Sequence, residues 1–258
     1  MSRFGYFWAL VIVAVGLFYA GVYRNFLAKV AYIWALWGTQ LRRHFRVSAL
    51  SGSVEREVLA QTPIRQRGSA AWARHILISW GFGVLFLFDM LFALLTKYVP
   101  SEFFVAGPGR DALDFALDLS GAVLLAGLVL ALAVDTGGGR YGDRRAVAFL
   151  LVVALSGFVT EAVRLASRPY EARTAYSFLG AAMAAPLRSF PWPWAEVHRI
   201  AWVFHATVSS AFLAYLGWSR MIHVLATGVG RVMQSQPEVW RAKVEHVVRG
   251  MVGAGERR

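Results

Sequence analysis

The chain has 258 residues, of which 57% are hydrophobic, 14% aromatic and only 16% charged, with a formal net charge of +12. Soluble domains run at about a quarter charged and under half apolar, so the composition excludes a soluble fold and identifies a membrane protein. Cysteine is absent, which excludes disulfides, thiolate zinc sites and any iron–sulfur cluster held by this chain alone.

About 20 apolar residues carry a helix across the hydrocarbon core, and five segments qualify: residues 4–23, 75–96, 113–134, 146–166 and 200–225. The first is too long, and too poor in small residues near its end, for a cleaved signal peptide. Continuous apolar runs contradict the short alternating strands of a barrel. The expected fold is therefore all-α, a five-transmembrane-helix bundle within residues 1–230. Residues 24–74 form a basic loop and residues 231–258 a basic amphipathic tail.

Orientation follows from Lys and Arg. Residues 24–74 carry nine, residues 137–145 three and residues 220–258 seven, against eight on the opposite side. The positive-inside rule then places the N-terminus outside and the C-terminus in the cytoplasm of a prokaryotic inner membrane. In this setting the net positive charge reports loop position, and no nucleic acid partner is expected.

The loops differ in kind. Residues 34–74 include a basic run at Arg42, Arg43 and Arg46, suited to lipid headgroups or to a soluble partner. The outer loop, residues 167–197, holds Pro186, Pro191 and Pro193 with Phe190, Trp192 and Trp194. These aromatics suit an interfacial belt or the lining of a quinone entrance. The triple glycine at 137–139 follows no strand and is a connector, not a phosphate loop.

Six histidines carry the chemistry. His44 and His246 lie in basic segments, and His75, His198, His205 and His223 lie in or at the ends of apolar helices, where ionisable groups are costly. His205 and His223 are 18 residues apart, five whole turns, so they share a face but lie about 27 Å apart. They cannot bind one metal together. His75 begins the second helix and His223 ends the antiparallel fifth, so the two can meet at one depth as axial ligands of a b-type haem. The partner of His205 should come from residues 85–90, which hold Asp89 and Met90 but no histidine. Near the outer ends of the fourth and fifth helices, Glu161, Arg164 and His198 gather with His205. They are the candidate quinone-site residues, with Glu161 or His198 accepting a proton. The competing reading pairs Glu161 with Arg164 three residues on.

Several stretches carry a resemblance. His198-Arg-Ile-Ala-Trp-Val-Phe-His205, followed by Phe212-Leu-Ala-Tyr-Leu-Gly-Trp-Ser-Arg-Met-Ile-His223, resembles the last helix of the respiratory nitrate reductase gamma subunit family. That family includes the cytochrome b subunits of heterodisulfide reductase. Gly217-Trp218-Ser219-Arg220 stands where Pro-Tyr-Ser-Lys is usual. Arg74-His75-Ile-Leu-Ile-Ser-Trp80-Gly81-Phe82 and Ser156-Gly157-Phe158-Val-Thr-Glu161-Ala-Val-Arg164-Leu-Ala resemble a sub-branch fused or paired to a cysteine-rich protein of the heterodisulfide reductase catalytic type. The resemblance covers the second to fifth helices. It implies haem b, quinol or menaquinol chemistry toward the outer face, and a cytoplasmic iron–sulfur partner. Carried over by position, His75 and His223 match the ligands of the haem nearest the cytoplasm. His205 matches one ligand of a second, outer haem, whose other ligand would fall at Leu85.

The expected function is thus a membrane-anchoring cytochrome b subunit of a quinone-linked oxidoreductase in a respiratory chain. It would serve electron transport without being a complete enzyme alone. The alternatives are a non-redox transporter, in which the histidines serve a proton path, and a structural membrane anchor for a peripheral enzyme.

Overall fold

In the computed structural model, residues 3–27, 52, 54–66, 68–99, 101–133 and 141–219 are described. Six helices matter here: α1 (Arg3–Val22), α2 (Ser69–Tyr98), α3 (Pro108–Ala133), α4 (Tyr141–Ala166), α5 (Phe178–Leu187) and α6 (Trp194–Trp218). No strand occurs among the described residues. Five of the helices are long and apolar enough to cross a membrane, and α5, with ten residues, is not. The protein is all-α and multi-pass.

The sequence-predicted segments are present but differ at their ends. α2 begins at Ser69 rather than residue 75, so its first turns come out of the stretch expected to be basic loop. α6 begins at Trp194 rather than residue 200. In both cases a polar or aromatic turn continues the helix past its apolar core, because hydrogen bonding along the axis does not stop where hydrophobicity does. Residues 220–258 lie outside the described part, and with them the end of the fifth predicted segment, the tail, His223 and His246. Residues 28–50, with His44 and the Arg42–Arg46 run, do as well.

Contacts divide the chain into two units. The first, residues 1–14 and 67–213, contains α2 to α5 and most of α6. Its tightest seam joins α2 to α3. A Cβ at Gly81 would stand 2.6 Å from the Leu124 backbone nitrogen, and one at Gly127 would stand 2.8 Å from Leu77 Cβ. Because 81 meets 124 and 77 meets 127, the two helices are antiparallel. Small residues let the backbones approach where apolar burial alone gives no drive, as helices in lipid require. Gly121 of α3 then seats the Phe158 ring of α4, 2.7 Å from a Cβ placed there. Leu124, Leu128 and Leu150 are fully buried around this seam. The start of α1 joins α6 through Tyr6 Oη and Thr207 Oγ1, 2.8 Å apart, and through the Phe7 and Trp202 rings.

The second unit comprises residues 15–66 and 214–258, described at the end of α1, the last turn of α6 and two short helical pieces. Here a Cβ at Gly21 would meet the Gly217 carbonyl carbon at 2.5 Å. Trp218 Nε1 donates to Leu17 O at 2.9 Å, and Asn25 Nδ2 donates to Gly217 O at 3.1 Å.

The α2–α3 seam makes a paired expectation. Gly81→Ala pushes a methyl into backbone and should cost about 1–3 kcal/mol. Gly83→Ala, two residues on with nothing within 4 Å, should stabilise the helix by up to about 1 kcal/mol. Unfolding in mixed micelles measures both, and the reverse order would contradict the seam.

Candidate functional site

Four helix ends converge where α2 finishes, α3 begins, α4 finishes and α6 begins, beside the Phe190–Trp194 loop. This is called the aromatic-loop end below. On its approach, α4 and α6 pack antiparallel through three small or hydroxylic residues. Thr160 Oγ1 lies 2.8 Å from Ser156 O and 3.2 Å from Ala201 O, so its one hydrogen bridges the two helices. Ser156 Oγ donates to Val153 O at 2.8 Å and lies 2.8 Å from His205 Nδ1. A hydroxyl has one hydrogen. With that hydrogen on Val153, Ser156 Oγ is free to accept from His205 Nδ1, and Ser209 Oγ lies 3.5 Å from the same nitrogen. Gly157 makes room for the ring: a Cβ there would stand 3.2 Å from His205 Cε1.

α2 faces the same region. Phe82 packs edge-on to Phe212 of α6, with ring centroids 6.3 Å apart, and Phe212 packs edge-on to Phe149 of α4 at 5.2 Å. From this aromatic contact, Asp89 lies seven residues along α2 and His205 seven residues back along antiparallel α6. Seven residues is close to two turns and about 10 Å of rise, so both return to their starting faces and reach one depth. Asp89 is exposed there and, among the described residues, has neither a hydrogen bond nor an ion pair. No histidine of α2 occupies that depth. His75 lies half-buried in the second turn of α2, and its proposed partner His223 is outside the described residues.

A second group surrounds α5. The chain leaves α4 at Ala166, crosses to the start of α3, and returns inward before α5 begins. Arg173 fixes the crossing: it bonds Asp111 Oδ1 through Nε at 2.9 Å and Nη2 at 2.7 Å, and donates to the carbonyls of Ala106 and Gly107. Six residues later the Leu179 N–H donates to Asp118 Oδ2 at 2.5 Å. Asp118 lies about 10 Å deeper along α3 than Asp111, so α5 starts inside the bundle and climbs back out along α4. Ala162, Leu165, Ala166 and Ala184 bury this packing. A re-entrant helix is tolerated at such depth only where protein covers its backbone, and the Asp118 carboxylate satisfies one of its free N–H groups.

Glu161 meets the same turn: a Cβ at Gly180 would stand 2.8 Å from the Glu161 carboxyl carbon. Its Oε1 also pairs with Arg164 Nη2 at 3.2 Å, the competing pairing read from their spacing. The α4–α6 register, 156 with 205 and 160 with 201, sets His198 opposite residue 163. Glu161, Arg164 and His198 therefore share a level, one helix turn or two beyond His205. Phe190 stacks on Trp192 at 5.3 Å, and Trp192 lies 5.5 Å from Trp194; the first two are exposed.

The structure thus brings together Glu161 with Arg164, and it adds Asp118, Ser156, Asp111 and Arg173, none of which the sequence reading singled out. The signal for Asp118 was the 111, 114, 118 spacing on one helix face. For Ser156 it was a hydroxyl four residues before Thr160 in an apolar helix. Among the described residues, no group of three or more His, Cys, Asp or Glu side chains is placed to hold a metal ion. Comparison of the chain with protein-family models, with curated proteins and with solved structures finds no match.

Arg173 is the clasp of the crossing segment. Arg173→Met keeps its length but removes four donated hydrogen bonds, and should make residues 167–176 markedly more susceptible to limited proteolysis of the detergent-solubilised protein. An unchanged digestion pattern would show that the segment is held by other contacts.

Proposed function

We propose that the chain is the membrane cytochrome b subunit of a quinone-linked oxidoreductase in a prokaryotic inner membrane. It passes electrons between quinol or quinone near the outer face and a cytoplasmic iron–sulfur partner of the heterodisulfide reductase catalytic type. The observation that carries this reading is the contact of the His205 Nδ1 with Ser156 inside the helix bundle. An imidazole that ligates iron needs a lone pair on one nitrogen and a hydrogen-bond acceptor for the other, which sets its tautomer and orientation. Ser156 supplies that acceptor in an apolar helix, where an unused imidazole has a cost.

The donor set fits a haem in part. His205 would be one protein ligand of an outer haem. The α2 residues nearest that depth are Leu85 and Asp89, so His205 would be the one imidazole of that iron. His75 and His223 remain the pair for the cytoplasmic-side haem, on sequence position and the resemblance to the nitrate reductase gamma subunit family. Haem supplies one-electron transfer. This chain's own histidines would hold the iron, with Ser156 orienting the His205 imidazole. Glu161, level with His198 and held by Arg164, stands ready to take a proton from a quinol hydroxyl.

A dithionite-reduced spectrum of the purified protein tests the reading, with a b-haem band expected and a colourless preparation rejecting it. His223→Ala should abolish or severely reduce haem at the cytoplasmic-side site. Ser156→Ala removes the orienting acceptor and should weaken retention of the His205-linked haem by about 10–100-fold. A full haem complement in both variants would separate these residues from iron. Glu161→Gln should slow quinol-driven haem reduction while leaving the spectrum intact.

A further inference from the structure

The carboxylates of α3 form a graded series. Asp111, Asp114 and Asp118 are spaced three and four apart, so they share one face over about 10 Å of helix. The outer two are neutralised by cations: Asp111 by Arg173 at 2.7 Å and Asp114 by Arg110 Nε at 2.9 Å. Asp118, the deepest, has no cation. It is 2% exposed, its carboxylate lies against the Leu179 and Gly180 N–H groups at the start of α5, and among the described residues its Oδ1 has no hydrogen-bond partner of good geometry.

A bare, buried carboxylate oxygen is costly in proportion to the hydrogen bond it lacks. Its surroundings make this worse. From α4 comes Glu161, whose carboxyl rests on Gly180, the residue after Leu179, and from its own helix comes Asp114. Arg164 belongs to Glu161, and the first turn of α5 (Phe178, Leu179, Gly180) carries no titratable side chain. Both carboxyls thus lie against the first turn of α5, and the one guanidinium nearby pairs with Glu161, so a second charge on Asp118 is disfavoured.

We propose that Asp118 and Glu161 form a proton-holding pair, with the proton on Asp118 Oδ1.

Infrared difference spectroscopy of the full chain in lipid vesicles, with neither quinol nor haem reduction required, tests the pair. A carbonyl stretching band of a protonated carboxyl, shifted by deuterium exchange, is expected in the wild type and lost completely in Asp118→Asn, which keeps the acceptor for Leu179. Glu161→Gln should move the band, which keeps the test alive if Asp118→Asn fails to fold. Absence of the band, its survival in Asp118→Asn, or an unmoved band in Glu161→Gln overturns the pair. A colourless protein that shows the band would remove haem and keep the proton site.

Discussion

In hydrocarbon no water competes for a polar group, so each one must find its partner inside the protein or remain a standing cost. The bundle is organised by that requirement. Most of the hydroxyls in its spanning helices turn back onto their own backbone: Ser79 on His75 O, Thr96 on Phe92 O, Ser120 on Ala116 O and Thr207 on Val203 O. These bonds are local and leave the helix faces free for packing. The informative residues are those that also reach across, Thr160 to Ala201, Ser156 to His205 and Thr207 to Tyr6, because they couple two helices at a defined register. Asp118 reaches farther still, supplying the start of a helix that could not otherwise begin at its depth.

The same requirement divides the bundle by closeness of approach. Where α2 meets α3, glycine against backbone brings the helices together with little between them. Where α6 meets α2, phenylalanine rings intervene, and past those rings the faces of α2 and α6 carry Asp89 and His205.

The long helices were legible in the sequence because a 20-residue apolar run leaves few other outcomes in a membrane. Their ends were less so: Ser69–Arg74 and Trp194–Arg199 are polar or aromatic enough to read as loop, yet they continue the hydrogen-bonded ladder. α5 was not legible. It is rich in alanine with Pro186 near the end, and its N-cap residue, Ser177, makes no side-chain cap bond, since a free N–H of the first turn is met by Asp118 of α3, more than 50 residues earlier in the chain. The Glu161–Arg164 pair followed from helical spacing. The role of Ser156 did not, because a serine four residues from a threonine is usually a back-bonded hydroxyl, and only the facing helix reveals what else it touches.

The re-entrant helix also imposes an order on assembly. Ten residues span about 15 Å, half of a bilayer, so α5 cannot insert as an independent unit. Its first turn is held by Asp118 of α3, its flank by Ala162 and Leu165 of α4, and the segment leading to it by Arg173 at the mouth of α3. Asp118, Ala162 and Leu165, like the Asp111 that holds Arg173, lie on helices that emerge from the ribosome earlier. α5 can therefore seat only on a surface already built by α3 and α4, which makes the aromatic-loop end the last part of this region to acquire its native form during synthesis.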